Sequence, residues 1–342
     1  MNTDPLAAEI AAWQLYLQDH PAGGEVWDQI KQSTEPILTR TAEAARNGHR
    51  HLALSRLLAA YPNLGAARFL DGYTATQLED STFFRREWQR HADLLRDEMT
   101  PMTPARFDGI TPAAARAVAE IALPQVREYY EACADFERAT NTTSGFFYLG
   151  YALAQRDLSA LCRSLSGEPR TEPALRNLKP EIEALEDEVL RAYRPPASID
   201  RHAEFVLVGS YLKEARELTA SGLRAGALLR YLQAALRFVP IRPPSTLPSP
   251  DELRRRAAEV ATEFTTSPVD HTIGRIFLEL AEAELAASPD SVTPFAAAAL
   301  TDVLPRYLAA VDPVASTDRS APPPAPAVPA RVTVTFVRWP YT

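Results

Sequence analysis

The chain has 342 residues, 46% of them hydrophobic and 23% charged, enough to bury the core of about one to three domains and too apolar for a disordered chain. Its formal net charge of -8 opposes a broad nucleic-acid footprint, which needs concentrated Lys and Arg. The run Arg254-Arg255-Arg256 reads as a solvated helix face.

Two cysteines, Cys133 and Cys162, lie in apolar helical patterns and make neither a disulfide framework nor a Cys-x-x-Cys pair. The segment Met1-Asn2-Thr3-Asp4-Pro5 has none of the basic and apolar character of a signal peptide. No apolar stretch approaches the roughly 18–20 residues of a membrane span. The expectation is a cytoplasmic protein.

Glycine is scarce at 13 and proline plentiful at 29, so the prolines serve as punctuation between helices. Asp4-Pro5 supplies an N-cap and a first-turn proline ahead of Leu6, Ile10, Trp13 and Leu17, which share one helical face. A second helix is predicted from Val26 to Asn47, bent near Pro36 and ended by Gly48. A short one follows from Arg50 to Tyr61, closed by Pro62-Asn63, and a long polar-faced helix spans 76–99 with Leu78, Phe83, Trp88 and Leu95 as core candidates.

Thr111-Pro112 opens a run to about Thr140 with a kink at Pro124, and Asn141 to Gly145 separates it from a helix over 146–166. Further helices are predicted at 173–193, 198–220, 223–239, 250–265, 270–287 and 294–311.

Beyond Asp312 the character changes. Residues 312–330 are a Pro/Ala-rich linker, and 331–342 alternate β-branched and aromatic residues as a strand does. Within that tail Val332, Val334, Phe336, Arg338, Trp339 and Tyr341 are the candidate partner-binding residues.

In order, Tyr211, Ala215, Leu218, Gly222, Ala227, Tyr231, Ala234 and Pro240 carry aromatic, small, apolar, turn, small, aromatic, small and breaker chemistry. This resembles the tetratricopeptide repeat, a helical hairpin of about 34 residues. The resemblance implies that the small residues let two antiparallel helices approach while the aromatics fill the wedge to the next hairpin. Two further windows resemble it in part: Ile37, Thr41, Ala44, Gly48, Ala53, Leu57 and Ala60, and then Phe146, Leu149, Gly150, Leu153 and Cys162. The windows are scattered, not tandem. The fold class is therefore all-α, an irregular array of antiparallel helical hairpins (solenoid-like or bundle) with a Pro-rich linker and a C-terminal β-strand tail. The expected organisation is an N-terminal helical region over 1–104 and a main hairpin region over 105–311, followed by the linker and tail.

The six histidines, His20, His49, His51, His91, His202 and His271, fall in no His-Glu-x-x-His or Glu-x-x-His spacing, and Asp200, His202 and Glu204 sit where a helix starts. No phosphate loop, dinucleotide loop or Gly-x-Ser-x-Gly elbow is present. Arg46 with His51, and Arg86 with His91, resemble the Arg-polar-x3-His motif of the HEPN ribonucleases, in which Arg and His act on a phosphodiester without metal. Gly48 interrupts the first pattern, and capping of a hairpin turn by His49 and His51 is the preferred reading. The sequence thus points to a non-catalytic scaffold or adaptor subunit that docks a partner protein through its C-terminal strand, with no cofactor, metal or nucleic acid. The alternatives are a metal-independent HEPN-like ribonuclease and a peptide-binding regulatory subunit.

Overall fold

The computed structural model describes residues 4–23, 27–100, 102–168, 170–196, 198–242, 247–288 and 291–311. The linker 312–330 and the tail candidates Val332, Val334, Phe336, Arg338, Trp339 and Tyr341 lie outside the described residues.

The first seven helices are α1 (Pro5–Asp19), α2 (Asp28–Arg46), α3 (Arg50–Leu70), α4 (Ala75–Glu79), α5 (Ser81–Leu94), α6 (Ala113–Arg138) and α7 (Thr142–Ser164). Then come α8 (Lys179–Ala192), α9 (His202–Ala220), α10 (Arg224–Phe238), α11 (Pro250–Thr266) and α12 (Thr272–Ala287). Last are α13 (Pro294–Ala298) and α14 (Leu304–Ala310), joined through a π-helical turn. Among the described residues there is no strand, only two isolated bridges, Thr171 to Val269 and Leu175 to Val311.

Three hairpins are closed by the same local device. Between α2 and α3, Gly48 takes φ +81° and the His49 N–H donates to the Ala44 carbonyl at 2.9 Å. Between α9 and α10, Gly222 takes φ +75° and the Leu223 N–H donates to the Leu218 carbonyl at 2.9 Å. Only a residue without Cβ enters the left-handed region at no cost, which is why glycine stands at both turns. Between α6 and α7 the equivalent bond runs from the Asn141 N–H to the Phe136 carbonyl at 3.0 Å, but Thr140 holds the left-handed position at φ +53°. A β-branched residue there costs about 1–2 kcal/mol, offset by the extensive packing of α6 on α7.

These hairpins stack. α3 packs across α7, α6 across α10, and α12 closes against α3. One apolar cluster runs through them from Leu6 to Val311, and a smaller one gathers Trp27, Leu70, Leu78, Phe84 and Phe146 beside α5. Backbones come very close where α3 crosses α7: a methyl on Gly65 would overlap Ala154, and one on Gly150 would lie 2.8 Å from the Ala66 Cα.

Several boundaries differ from the sequence reading. α3 does not stop at Tyr61 but runs through Pro62 to Leu70. The proline costs about 3 kcal/mol in a helix interior. The turns beyond it bury Leu64 and Leu70 completely, at about 1.5–3 kcal/mol each, so continuing wins. The expected helix over 76–99 is broken at Asp80, whose carboxylate accepts the Thr82 and Phe83 N–H groups and starts α5. There Leu78, Phe84 and Leu95 are buried, and Phe83 and Trp88 only half-buried. The span 173–193 is helical only from Lys179. The third repeat-like window lies inside the single helix α7, so Gly150 makes a close contact and no turn.

In the α9–α10 hairpin Ala215, Leu218, Ala227, Tyr231 and Ala234 are buried and Tyr211 is half-buried. Ala227 is 1% exposed, so Ala227→Leu is expected to overpack the hairpin and cost about 1–3 kcal/mol in chemical denaturation. An unchanged unfolding midpoint would contradict that packing role.

Candidate functional site: a groove between the stacked hairpins

Pro62, midway along α3, has no N–H to give the Leu58 carbonyl. That point opens on a cavity of about 350 Å³ walled by α3, α6, α7, α9 and α10, with Gln125, Tyr129, Tyr151, Gln155 and Glu214 among its residues. A second cavity of about 370 Å³ adjoins it, and the two share Ser55, Ala59, Tyr211 and Gln233. Both volumes fall within the range of ligand sites. Side by side on these shared residues, the two cavities give the α3–α10 groove a polar end and an apolar end.

The apolar end is floored by Leu52, Ile276 and Phe277 and rimmed by Arg40, Arg56 and Arg237. The only hydrogen bond within this trio runs from Arg56 Nη1 to the Arg40 carbonyl at 2.9 Å. Partial burial and the nearby Arg40 charge pull the Arg56 guanidinium below its usual value. None of the three makes an ion pair with another described residue. The lining of this end holds three arginines and no carboxylate above an apolar floor, although Glu43 and Glu284 lie near enough to Arg56 to oppose that shift.

The polar end is electrically balanced. Arg230, 8% exposed, pairs with Glu214 at 2.7 Å and lies 4.9 Å from the Tyr211 ring centre. Its Nη1 donates to Gln233 Oε1 at 2.9 Å, and Gln233 Nε2 donates to Ser55 Oγ at 3.3 Å. Gln155 donates to Gln125 and is itself 1% exposed, yet its Oε1 has no partner. Tyr129 and Tyr151 contact each other at 5.4 Å between ring centres, and burial pushes both phenols above the usual tyrosine range.

Sequence reasoning selected none of these groups except Tyr211. The signal was present in part, because Gln155 lies three residues from both Ala152 and Leu158 on the buried stripe of α7. A polar residue on an apolar stripe demands a partner. Arg230 interrupts the buried face of α10 in the same way.

The histidines are dispersed. His91 is buried, with Nδ1 bonded to the Glu87 carbonyl at 2.8 Å, and Arg86 lies over Phe83, so that pair forms no cleft. Arg46 bonds its own helix at the Ala42 carbonyl. His49 reaches the Glu279 carbonyl at 2.9 Å, whereas His51 binds the Glu279 carboxylate at 2.6 Å and lines a separate cleft of about 340 Å³. Arg50, Arg170 and Arg275 line it too. Arg50 pairs with Asp4 at 3.0 Å, and Arg170 donates to the Phe264 and Ser267 carbonyls at 3.0 and 2.7 Å, closing the end of α11. A carboxylate-held imidazole in a cleft has the geometry of a general base, although all three arginines have structural partners, Arg275 Nη2 donating to Thr265 Oγ1 at 3.0 Å.

His271, at the start of α12, stacks on Phe264 and bonds Tyr307 and Ser267 at 3.0 and 2.9 Å. Burial lowers its pKa, against the nearby Asp270. A group kept neutral in the fold and protonated more readily when unfolded destabilises the protein as pH falls below about 6.5. The melting temperature is expected to drop between pH 7 and 5, with His271→Phe showing a lower value at pH 7 and a flatter slope. Parallel slopes for the two proteins would refute this assignment.

Among the described residues no group of three or more His, Cys, Asp or Glu is placed to hold a metal ion, and no helix is long and apolar enough to cross a membrane. The fold and groove define an all-α protein of packed antiparallel helix pairs, compatible with a helical solenoid. Comparison with family models, curated proteins and solved structures found no match.

Proposed function

We propose that the protein is a non-catalytic helical adaptor of a larger assembly, which holds an extended segment of a partner protein along the α3–α10 groove and offers its 331–342 tail as a second contact. The observation that carries this reading is the adjacency of the two cavities across four shared residues, one apolar and rimmed by three arginines, the other lined by side-chain amides. A carboxamide presents donors and an acceptor that match a peptide group, so such a lining suits a bound main chain. Two variants of the full chain test it: deletion of 331–342, and Arg56→Glu with Arg237→Glu. Each is expected to melt near the parent temperature while losing its own subset of co-purifying proteins. Recovery of the same set from both variants would refute the adaptor reading. Early melting after tail deletion with every partner retained would make the tail a brace of its own chain.

The His51 cleft favours a second reading, a metal-independent ribonuclease in which His51, oriented by Glu279, moves the proton and Arg275 faces the phosphate. Incubation with single-stranded and structured RNA separates the two. The adaptor reading expects no cleavage, and cleavage abolished by His51→Ala would replace it.

A further inference from the structure

The polar end of the groove contains a group whose bonding is incomplete. Gln155 is 1% exposed and donates Nε2 to Gln125 Oε1, leaving its own Oε1 without a partner in the cavity wall. Buried polar atoms are nearly always satisfied, and this one belongs to a residue of a cavity wall, where a further donor has room to approach. The two amides define what that is. With Gln155 as donor, the open groups are the Gln155 carbonyl oxygen and the Gln125 amino group. If both amides are turned over, the open groups are the Gln155 amino group and the Gln125 oxygen. Either way the pair presents one acceptor and one donor.

Charge narrows the choice. The ionised groups of this wall are Arg230 and Glu214, and they are bonded to each other at 2.7 Å. A bound ammonium, guanidinium or carboxylate would lose its hydration here without a free counter-charge. A neutral group is therefore preferred. The Tyr129 and Tyr151 rings beside the pair favour a planar one. A primary carboxamide presents its donor and acceptor on one side, whereas a trans main-chain peptide turns them to opposite sides, so the Gln155–Gln125 pair matches a carboxamide.

We infer that the polar end of the groove is a subsite for a glutamine or asparagine side chain of the bound segment, read by Gln155 and Gln125. This rests on the adaptor reading above. The neighbouring Arg40, Arg56 and Arg237 require that the same segment carry an acidic residue beside an apolar one, which occupies the Leu52–Phe277 floor. The chain's own residues 331–342 contain Arg331 and Arg338 and no Asn, Gln, Asp or Glu, so they have the wrong chemistry for the groove. The occupant is a segment of another protein.

The test is selection of a phage-displayed random-peptide library on the full-length chain. Wild-type protein is expected to enrich peptides that align on one Gln or Asn near an Asp or Glu with an apolar neighbour. The Gln155→Leu variant, whose new side chain suits the apolar stripe of α7, is expected to retain the acidic and apolar positions and lose the amide. In titrations with one selected synthetic peptide, replacing its Gln by Glu should weaken binding to wild type at least about tenfold. Binding to Gln155→Leu should change by less than about twofold, because the discriminating amide is gone. An enriched set without an amide position, or the same consensus from both proteins, overturns the amide subsite and leaves the adaptor reading standing. Enrichment no greater than on the Arg56→Glu, Arg237→Glu protein overturns the adaptor reading and the subsite with it.

Discussion

Glu120→Ala is expected to lower the unfolding free energy by about 3–5 kcal/mol, as removing one member of a buried charged pair does. Glu120 lies in α6 and is 1% exposed. Its Oε1 accepts from Arg116 Nε at 2.9 Å and its Oε2 from the Gly226 N–H at 2.8 Å, in the first turn of α10. The carboxylate thus supplies an acceptor that this helix start lacks within itself, and Gly226 permits the approach, since a Cβ there would lie 2.9 Å from the Glu120 Cβ. Burial raises the Glu120 pKa, opposed by the Gly226 and Arg116 bonds. Truncation leaves the Gly226 N–H and the Arg116 guanidinium with fewer partners at a buried crossing. Glu120→Gln keeps an oxygen acceptor and should lose only about 1–3 kcal/mol. Chemical denaturation of the three proteins measures this directly. An alanine variant within about 1 kcal/mol of the parent would show that water replaces the carboxylate.

Asp71→Ala should cost a similar amount but act on a different region. Asp71 follows α3 and accepts from the Tyr16 hydroxyl of α1, the Trp27 indole and the Lys31 ammonium of α2, the last at 3.0 Å. The Lys31 side chain is only 6% exposed, and Asp28 lies 3.9 Å away. Removing Asp71 leaves a buried ammonium and two buried donors short of an acceptor, an expected loss of about 3–5 kcal/mol. Asp71 is what ties α1 and α2 to the end of α3, so the effect should be local as well as global. Amide hydrogen exchange is expected to speed up in α1 and α2 and to change least in α10. Equal acceleration in all three helices would mean that the N-terminal pair does not open independently.

Much of the helical framework was legible in the residues because its causes are local. Asp4-Pro5, Asn141, Gly48 and Gly222 all act within a few residues of themselves, through a cap, a restricted φ or a tolerated positive one, whereas the start of α6 after Thr111-Pro112 is capped from afar by Asp270 and Thr272. The reading failed where a local cost was outweighed at long range. Pro62 looks like a terminator, and only the burial of Leu64 and Leu70 beyond it shows why α3 continues. Thr140 carries no sign that it would occupy a glycine-like conformation, because what holds it there is the packing of α6 on α7. Gly150 resembled a turn residue and is instead a helix contact, since turn glycines and contact glycines differ only in what lies opposite them.

The groove is the clearest case of the second kind. Its wall joins Leu52 and Gln125 to Gln155, Arg230 and Phe277, positions that no window of sequence brings together. The sequence by itself determined a helical body up to residue 311, most of its start and stop points, and the hairpin turns at Gly48 and Gly222. Glu120, Gln155 and Arg230 also stand on apolar stripes, a signal that the sequence reading passed over. Only the tertiary structure decided which of these are satisfied. Glu120 finds Arg116 and Gly226, Arg230 finds the Glu214 charge and Gln233 but leaves its Nε without a hydrogen bond, and Gln155 keeps an open carbonyl. The physical reason is that a buried polar group carries its cost in its own sequence, but the partner that offsets it comes from another helix.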